Sequence, residues 1–240
     1  AKACRALRSA HVNAHLELRV GKPAVQILEV AGGRKVDLIA ISTHGRAGVG
    51  RLIWGSVAEA VLRRAELPVL VTRPGANEQP WKKIVFALDG SERGEEILSD
   101  AVRLARILGA VLDLVRVAEP VPLLIGIGDA ATLPLPADDP LPYLRTMVER
   151  ARKEGVEAQA VGLEGGARTR ILQHVQESGA GLLCMTTHGR SGLTRALLGS
   201  VAEDMLRHAP CPVLLRRSVG AAGEPPSKSD PLPGGPGGRG

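Results

Sequence analysis

Short apolar runs alternate along the chain with longer amphipathic segments, a pattern typical of strands and helices that follow one another. The stretch from Leu182 to Leu215 shows this most clearly. An apolar run at Leu182–Met185 predicts a buried strand, and a polar, glycine-bearing turn follows it. A helix is predicted over Val201–His208, whose apolar residues share one face, and a second strand over Val213–Leu215. In such an arrangement, backbone N–H groups at the start of the helix can hold an anion.

The same reasoning assigns the rest of the chain. Ser91 precedes a predicted helix and is expected to cap it. Glu119–Pro142 is rich in proline and too irregular for a helix, so we predict a flexible loop or lid there. The periodicity predicts further strands at His15–Val20, Asp37–Ser42, Pro68–Thr72, Lys82–Leu88, Val111–Val117 and Glu157–Gly162, and helices at Lys2–His11, Pro23–Ala31, Gly55–Ala65, Glu92–Leu108, Leu144–Glu154 and Ala167–Glu177.

An internal repeat underlies this pattern. The stretch Leu38–Arg73 matches the stretch that begins at Leu182 without a gap, at an offset of 144 residues. The words THGR, GSVAE, LR and PVL occur in both copies. Packing alone would preserve apolar character, but it would not preserve the identity of His, Gly, Arg and Ser in a loop. The repeat is therefore secure.

The repeated loop resembles that of the universal stress protein family. Nucleotide-binding members of that family carry a glycine, two residues, a second glycine, nine residues and then Gly-Ser or Gly-Thr. Gly189, the nine residues after it and Gly199-Ser200 fit this pattern. Thr186 stands where the first glycine belongs, and Ser42 does so in the first copy. The resemblance extends over about residues 1–217, which is nearly the whole chain.

The resemblance implies an α/β fold. It is an open parallel sheet with strand order 3-2-1-4-5 and helices on both faces, Rossmann-like and similar to the adenine nucleotide alpha hydrolases. Residues 82–217 are expected to form a complete domain of this kind, and residues 1–74 a partial one. Residues 75–81 are the expected linker. Residues 218–240 lack the apolar content to fold and are expected to be a disordered tail.

The partial first copy has no equivalents of strands 1 and 2. We therefore expect that it is not a complete nucleotide site and that its strand at Asp37–Ser42 keeps one neighbour and shows an apolar edge. Because Ala1 is not an initiator residue, a natural chain that is longer at its N-terminus is the favoured expectation; strands borrowed from another molecule are the alternative. We also expect the two copies to pair through their fifth strands, Val69–Val71 and Val213–Leu215, within one chain or between chains of a dimer.

The candidate site follows from the strand order. In open α/β sheets a ligand binds beyond the carboxyl ends of the strands where the order reverses, which here is between strands 1 and 4. Strand 1 ends at Asp89 and strand 4 at Thr186, so the two would face one crevice. The resemblance implies that ATP binds there, with Mg²⁺ neutralising its phosphates. The matching positions are Ala87, Asp89 and Val117 for ribose and adenine, and Thr186, Gly189, Arg190, Gly199, Ser200 and Val201 around the phosphate loop.

Each of these residues also has a structural interpretation, in which it stabilises the fold and contacts no ligand. Asp89 accepts from ribose or adenine in one interpretation and only closes a turn in the other. Ser200 caps a helix in either case, and His188 serves the loop backbone rather than catalysis. Arg190 lies near phosphates or is simply solvated, and Trp81 is expected to be a packing residue, like Trp54.

Composition removes several other classes of function. The net charge is +6, but basic residues are scattered among acidic ones and only 2% of residues are aromatic, so the chain lacks the stripe and stacking platforms of a nucleic-acid binder. The three cysteines have no zinc-ligand spacing and are expected to be buried free thiols in a reducing cytosol. No apolar run is long enough for a membrane span.

The expected function is regulatory. No carboxylate pair, Ser-His-Asp order or metal-ligand spacing is present, so we expect no catalytic residues and at most slow, incidental ATP hydrolysis. The favoured hypothesis is a cytoplasmic, tandem universal stress protein that acts in the stress response by nucleotide occupancy. The alternative is an interaction module of the same family that binds no nucleotide and dimerises through its last strand; Thr186 and Ser42 favour this alternative.

Overall fold

The computed structural model describes residues 2–43, 55–73, 75–76, 80–119, 121–124, 132–135, 138–187 and 198–217. The strands in these ranges are β1 (Ile39–Ser42), β2 (Val69–Thr72), β3 (Lys83–Ala87), β4 (Val111–Ala118), β5 (Val121–Leu124), β6 (Thr132–Leu135), β7 (Ala158–Glu164), β8 (Leu182–Thr186) and β9 (Val213–Arg216). The helices are α1 (Lys2–Ser9), α2 (Pro23–Gly33), α3 (Ser56–Arg64), α4 (Glu92–Leu108), α5 (Leu141–Lys153), α6 (Ala167–Ser178) and α7 (Ser200–His208).

The second copy builds the predicted parallel sheet. Its strands lie in the order β7-β4-β3-β8-β9. This order is 3-2-1-4-5 when the strands of this sheet are numbered along the chain from β3, leaving out the separate pair of β5 and β6. All four pairs are parallel. The central strand β3 is apolar without alternation, and Ile84, Val85 and Phe86 are fully buried, because a central parallel strand is covered on both faces. The order reverses between β3 and β8, as predicted.

The first copy adds two strands to the same sheet, whose full order is β1-β2-β9-β8-β3-β4-β7. β2 runs antiparallel to β9, with Val69 opposite Leu215 and Val71 opposite Val213. The predicted pairing of the fifth strands is therefore present within a single chain. Among the described strands, β1 has only β2 beside it, as the absence of strands 1 and 2 from the first copy predicts.

Helices cover both faces of the sheet. Along β3, Val85 faces a cluster built with α2, α3, α6 and α7, whereas Ile84 and Phe86 face one built with α4 and α5. Trp81 packs against the second cluster, which confirms its predicted packing role. The two clusters form the core on either side of the sheet.

The predicted strand at His15–Val20 is wrong. The backbone there belongs to no strand, and the side chains of Leu18 and Val20 are 92% and 94% exposed. In the order 3-2-1-4-5 this segment would lie beside strand 2, which the first copy does not have. Alternating side chains favour an extended backbone, but a strand forms only where a neighbour offers hydrogen bonds.

The prediction of an irregular loop over Glu119–Pro142 is wrong for part of it. β5 and β6 form a separate antiparallel pair, in which Pro122 lies opposite Pro134. Proline lacks an N–H donor and is tolerated at strand edges, so its abundance did not exclude this pair. Leu141 at the end of the segment already belongs to α5.

The cysteines are free thiols, and two of the three are buried as predicted. Burial raises the pKa of the Cys184 thiol and raises that of Cys211 to about 11. Cys4 is only partly buried, so the prediction is wrong for this residue. Within the described part of the chain, no helix has the length and apolar character needed to cross a membrane.

Candidate functional site

Asp89 lies directly beyond the carboxyl end of β3, at the point where the strand order reverses. Its Oδ1 accepts from the Ser91 N–H at 3.1 Å and from the Ser91 hydroxyl at 2.7 Å. The Ser91 Oγ in turn accepts from the Gly94 N–H at 3.1 Å, which confirms Ser91 as the N-cap of α4. The turn-closing interpretation of Asp89 is therefore correct for one of its two oxygens.

The second carboxylate oxygen of Asp89 has no such role. Oδ2 is shielded from solvent and has no hydrogen-bond partner within the described structure. Buried carboxylate oxygens are normally satisfied, because each one that is not costs free energy. Oδ2 is thus the atom of this crevice that calls for a donor, such as a ligand hydroxyl or amino group.

The base of the glycine loop, which Thr187 and Gly199 form, is hydrogen-bonded to the end of β9. The Thr187 N–H donates to the Arg216 carbonyl at 3.0 Å, and the Gly199 N–H donates to the Thr187 carbonyl at 2.7 Å. α7 then begins at Ser200. Gly199, at the N-cap position, has no side chain with which to cap α7, and the first N–H groups of a helix have no acceptor within it. The start of α7 therefore offers N–H donors of the kind that hold an anion.

Gly199 has backbone angles that any residue adopts, with φ −60° and ψ 142°. Gly55 in the first copy has nearly the same values, −57° and 138°. What glycine contributes here is the absence of a side chain near the start of the helix.

An apolar wall runs along the same face of the sheet. Ala87, Met185, Val117 and Val201 all belong to or pack against the cluster formed with α6 and α7. Val117 and Val201 are half-buried and thus retain exposed apolar surface. Thr186 is a buried residue at the end of β8, 8% exposed. The carboxyl ends of β3, β4 and β8 therefore carry apolar side chains on this face, with the Asp89 carboxylate following β3.

Ala87 ends β3, Asp89 follows it, and Val117 lies next to the end of the neighbouring strand β4, while Gly199, Ser200 and Val201 stand at the start of α7. That these residues form one binding site stays a prediction. Gly189 and Arg190 lie outside the described residues, as does His188. The corresponding loop of the first copy, residues 44–54, also lies outside them.

The loop base of the first copy has the same geometry as that of the second. The Thr43 N–H donates to the Thr72 carbonyl at 3.0 Å, and the Gly55 N–H donates to the Thr43 carbonyl at 3.2 Å. Among the described residues, no strand equivalent to β3 precedes this loop base. That the first copy is not a complete site stays a prediction.

Tyr143, near the start of α5, is a neighbour of the site that the sequence analysis did not single out. Burial, followed by the charges of Glu95 and Asp89, raises its pKa to about 12. The Arg116 guanidinium lies 5.2 Å from the centre of its ring. The available sequence signal was its rarity, because it is the sole tyrosine of the chain.

Among the residues that the structure describes, no three acidic, histidine or cysteine side chains come together as a metal-binding group.

Known proteins match the chain over most of its length. The model of the universal stress protein family matches residues 1–73 and 80–217. A universal stress protein of Methanocaldococcus jannaschii is 31% identical over 142 residues, which cover 58% of this chain and 83% of that protein. One from Mycobacterium bovis is 26% identical over 208 residues, which cover 84% of this chain and 68% of that protein.

A solved structure extends the likeness to the arrangement of both copies. The crystal structure of a universal stress protein from Archaeoglobus fulgidus superposes with a TM-score of 0.71 at 22% identity, covering 91% of this chain and 76% of that one. At this identity the match establishes the fold. Together with the family model, which covers both copies, it shows that the chain belongs to the universal stress protein family.

Proposed function

We propose that the second copy binds ATP with Mg²⁺ in the crevice between β3 and β8. The protein would then act by nucleotide occupancy, as a cytoplasmic regulatory module of the stress response. The observation that carries this proposal is the Oδ2 of Asp89, which is buried and has no hydrogen-bond partner among the described residues. One end of the crevice offers an acceptor for a ribose hydroxyl or an adenine amino group, and the other offers N–H donors for phosphates.

Each side chain would have a limited role. Asp89 would hold and orient the nucleoside, while Val117 would supply apolar contact to the base. The backbone N–H groups at the start of α7 and the Ser200 hydroxyl would hold phosphate oxygens. Mg²⁺, when bound, would neutralise the phosphates, which would supply its ligands along with water. No residue of this crevice is assigned to activate a water molecule, so hydrolysis would be slow and incidental.

Calorimetric titration of the full chain with Mg-ATP tests the proposal, with matched glycine variants as probes. We expect Gly199→Val to abolish binding, because its side chain would occupy the phosphate position while its backbone angles suit valine. Gly55→Val is the control. It has equivalent backbone angles, and its added Cβ would meet the Thr43 carbonyl oxygen at an ordinary 3.5 Å. It should leave binding unchanged, because the first copy is not a complete site.

A second variant tests the carboxylate itself. Asp89→Asn keeps an oxygen to close the Ser91 turn but directs an N–H₂ group toward the ligand in place of Oδ2. Loss of a hydrogen bond to a charged group corresponds to about a 10- to 100-fold weaker affinity. Absence of both heat and thermal shift with the unaltered protein at millimolar Mg-ATP would refute the proposal.

One observation favours a second function, that of an interaction module. β2 and β9 join the two copies through their backbones within one chain. A protein that used this edge only for assembly would bind no nucleotide. It would retain the β2–β9 pair, and Gly199→Val would then have no effect on its behaviour.

A further inference from the structure

An arginine of the first copy holds the end of the helix that opens the candidate site of the second copy. Arg73 directly follows β2. Its guanidinium donates to the carbonyl oxygen of Arg207, and to that of Ala209 at 2.5 Å. These two carbonyl groups lie at the carboxyl end of α7.

The contact is reciprocal. Arg217, which follows β9, donates to the carbonyl oxygen of Arg63 at 3.3 Å, near the carboxyl end of α3. Arg73 and Arg217 are equivalent positions in the repeat, and so are Arg63 and Arg207, each pair at the offset of 144 residues. Each copy therefore holds the helix of the other, as the two halves of an isologous interface do.

The helix ends explain why these contacts matter. α4 and α6 both end on glycines in the left-handed conformation, Gly109 with φ 58° and Gly179 with φ 63°. Such residues let backbone N–H groups cap the last carbonyls of a helix. α3 and α7 end instead on Ala65 and Ala209 in extended conformations, with φ −63° and −57°. The arginine of the opposite copy thus supplies donors and a positive charge at these two ends.

The same strand ends also carry the loops. The Thr72 carbonyl accepts from Thr43 at the loop base of the first copy, and the adjacent Arg73 reaches across to α7 of the second. At its other end, α7 begins next to Gly199, whose N–H donates to Thr187 in the loop base of the second copy. α7 spans about 13 Å for its nine residues, so a change at Arg73 acts on the far end of one short helix.

We infer that Arg73 is a positioning residue for the site of the second copy. Through Arg73, the partial first copy holds α7 in place, and we call this contact the clamp. Arg73 holds the carboxyl end of α7, and this fixes the amino end that faces the crevice. Arg217 does the same for α3. The consequence for nucleotide affinity rests on the proposed function, whereas the effect on the position of α7 does not.

Hydrogen exchange of single backbone amides, measured by NMR on the full chain without nucleotide, tests the inference. The amides of Gly199 and Glu203 report on α7, since their acceptors are the carbonyls of Thr187 and Gly199. We expect Arg73→Ala to accelerate exchange at these two amides by about tenfold, as local opening becomes easier. Arg73→Lys keeps a charge and one donor and should restore most of the protection.

The repeat provides the matched control. Arg217→Ala should leave the α7 amides unchanged and accelerate the equivalent amides of α3, Gly55 and Glu59. Equal acceleration in both helices by either variant, or none at α7 in Arg73→Ala, would overturn the inference. If Arg73→Ala does not fold, the same comparison is made between Arg73→Lys and Arg217→Lys, with a smaller expected difference at the same amides.

A Mg-ATP titration of the same variants separates the two proposals. We expect several-fold weaker affinity in Arg73→Ala and unchanged affinity in Arg217→Ala. If the unaltered protein binds no nucleotide, the proposed function fails, and the exchange pattern alone decides on the clamp. If the protein binds and Arg73→Ala binds equally well, the clamp does not serve the site.

Discussion

Replacing His174 with leucine should destabilise the protein by about 2–3 kcal/mol, because a buried carboxylate would lose a donor. Asp113 lies in β4 and is fully buried. Its Oδ2 is 3.2 Å from the His174 Nε2, and its Oδ1 accepts from the Gln159 Nε2 at 2.6 Å. The imidazole of His174 and the amide of Gln159 are therefore the two side-chain partners of this carboxyl group. Leucine at position 174 would cover Oδ2 without satisfying it.

The loss of stability expected from related variants depends on how exposed the replaced side chain is. Gln159 is an exposed residue, so water can replace its amide, and Gln159→Leu should cost only about 1 kcal/mol. Replacing both Asp113 and His174 with leucine removes the buried charge together with its donor. This double variant should be more stable than His174→Leu alone, because an apolar pair has no desolvation cost to offset.

Urea unfolding monitored by circular dichroism measures these differences from the transition midpoint and the slope m. Asp113→Leu completes the double-mutant cycle, in which the expected coupling between positions 113 and 174 is about 2 kcal/mol. If the double variant lost as much stability as the two single variants together, Asp113 and His174 would be acting independently and the reasoning would be refuted.

Two further predictions concern titration and labelling. Absorbance should show the sole tyrosine, Tyr143, ionising near its raised pKa of about 12 rather than at 10.0. Because the folded-state pKa is raised, the contribution of this phenol to stability is complete below pH 10. It is lost as the pH rises through about 12. A midpoint at pH 10 in the folded protein would contradict this. Under native conditions a thiol reagent should modify Cys4 well before Cys184 and Cys211, because these two are buried and burial raises the pKa of both thiols; equal labelling rates would show that the core opens readily.

Elements bounded by local signals were the predictable part of the fold. α4 begins and ends at the predicted residues because Ser91 caps its start and Gly109, with φ 58°, ends it. Both signals lie in the sequence next to the helix. The segment His15–Val20 had the period of a strand but no neighbour to pair with. A strand depends on residues distant in sequence, and periodicity does not report on them.

The candidate site divides in the same way. The repeat and the strand order were enough to predict that Asp89 would follow β3 at the point where the order reverses and that Gly199 would stand at the start of α7, because local signals mark both element ends. The sequence could not predict that Oδ1 of Asp89 accepts from Ser91 while Oδ2 has no partner among the described residues. This difference depends on the rotamer of Asp89 and on the position of Ser91. The contact of Arg73 with Ala209 could not be predicted either, because it crosses between copies and depends on where a helix ends.

The position of β9 between β2 and β8 also determines when the protein can become complete during synthesis. β2 emerges from the ribosome before its antiparallel partner β9, which is the last described strand of the sheet in chain order. The 141 residues that follow Thr72, up to and including Val213, take roughly 7 to 28 seconds at about 5–20 residues per second. For that time the apolar edge of β2 has no partner in the nascent chain. The strands of the two copies become one sheet only when β9 is inserted between β2 and β8. The interval of greatest risk for aggregation is therefore the time between the synthesis of β2 and that of β9, when a stalled ribosome would leave that edge open to other chains.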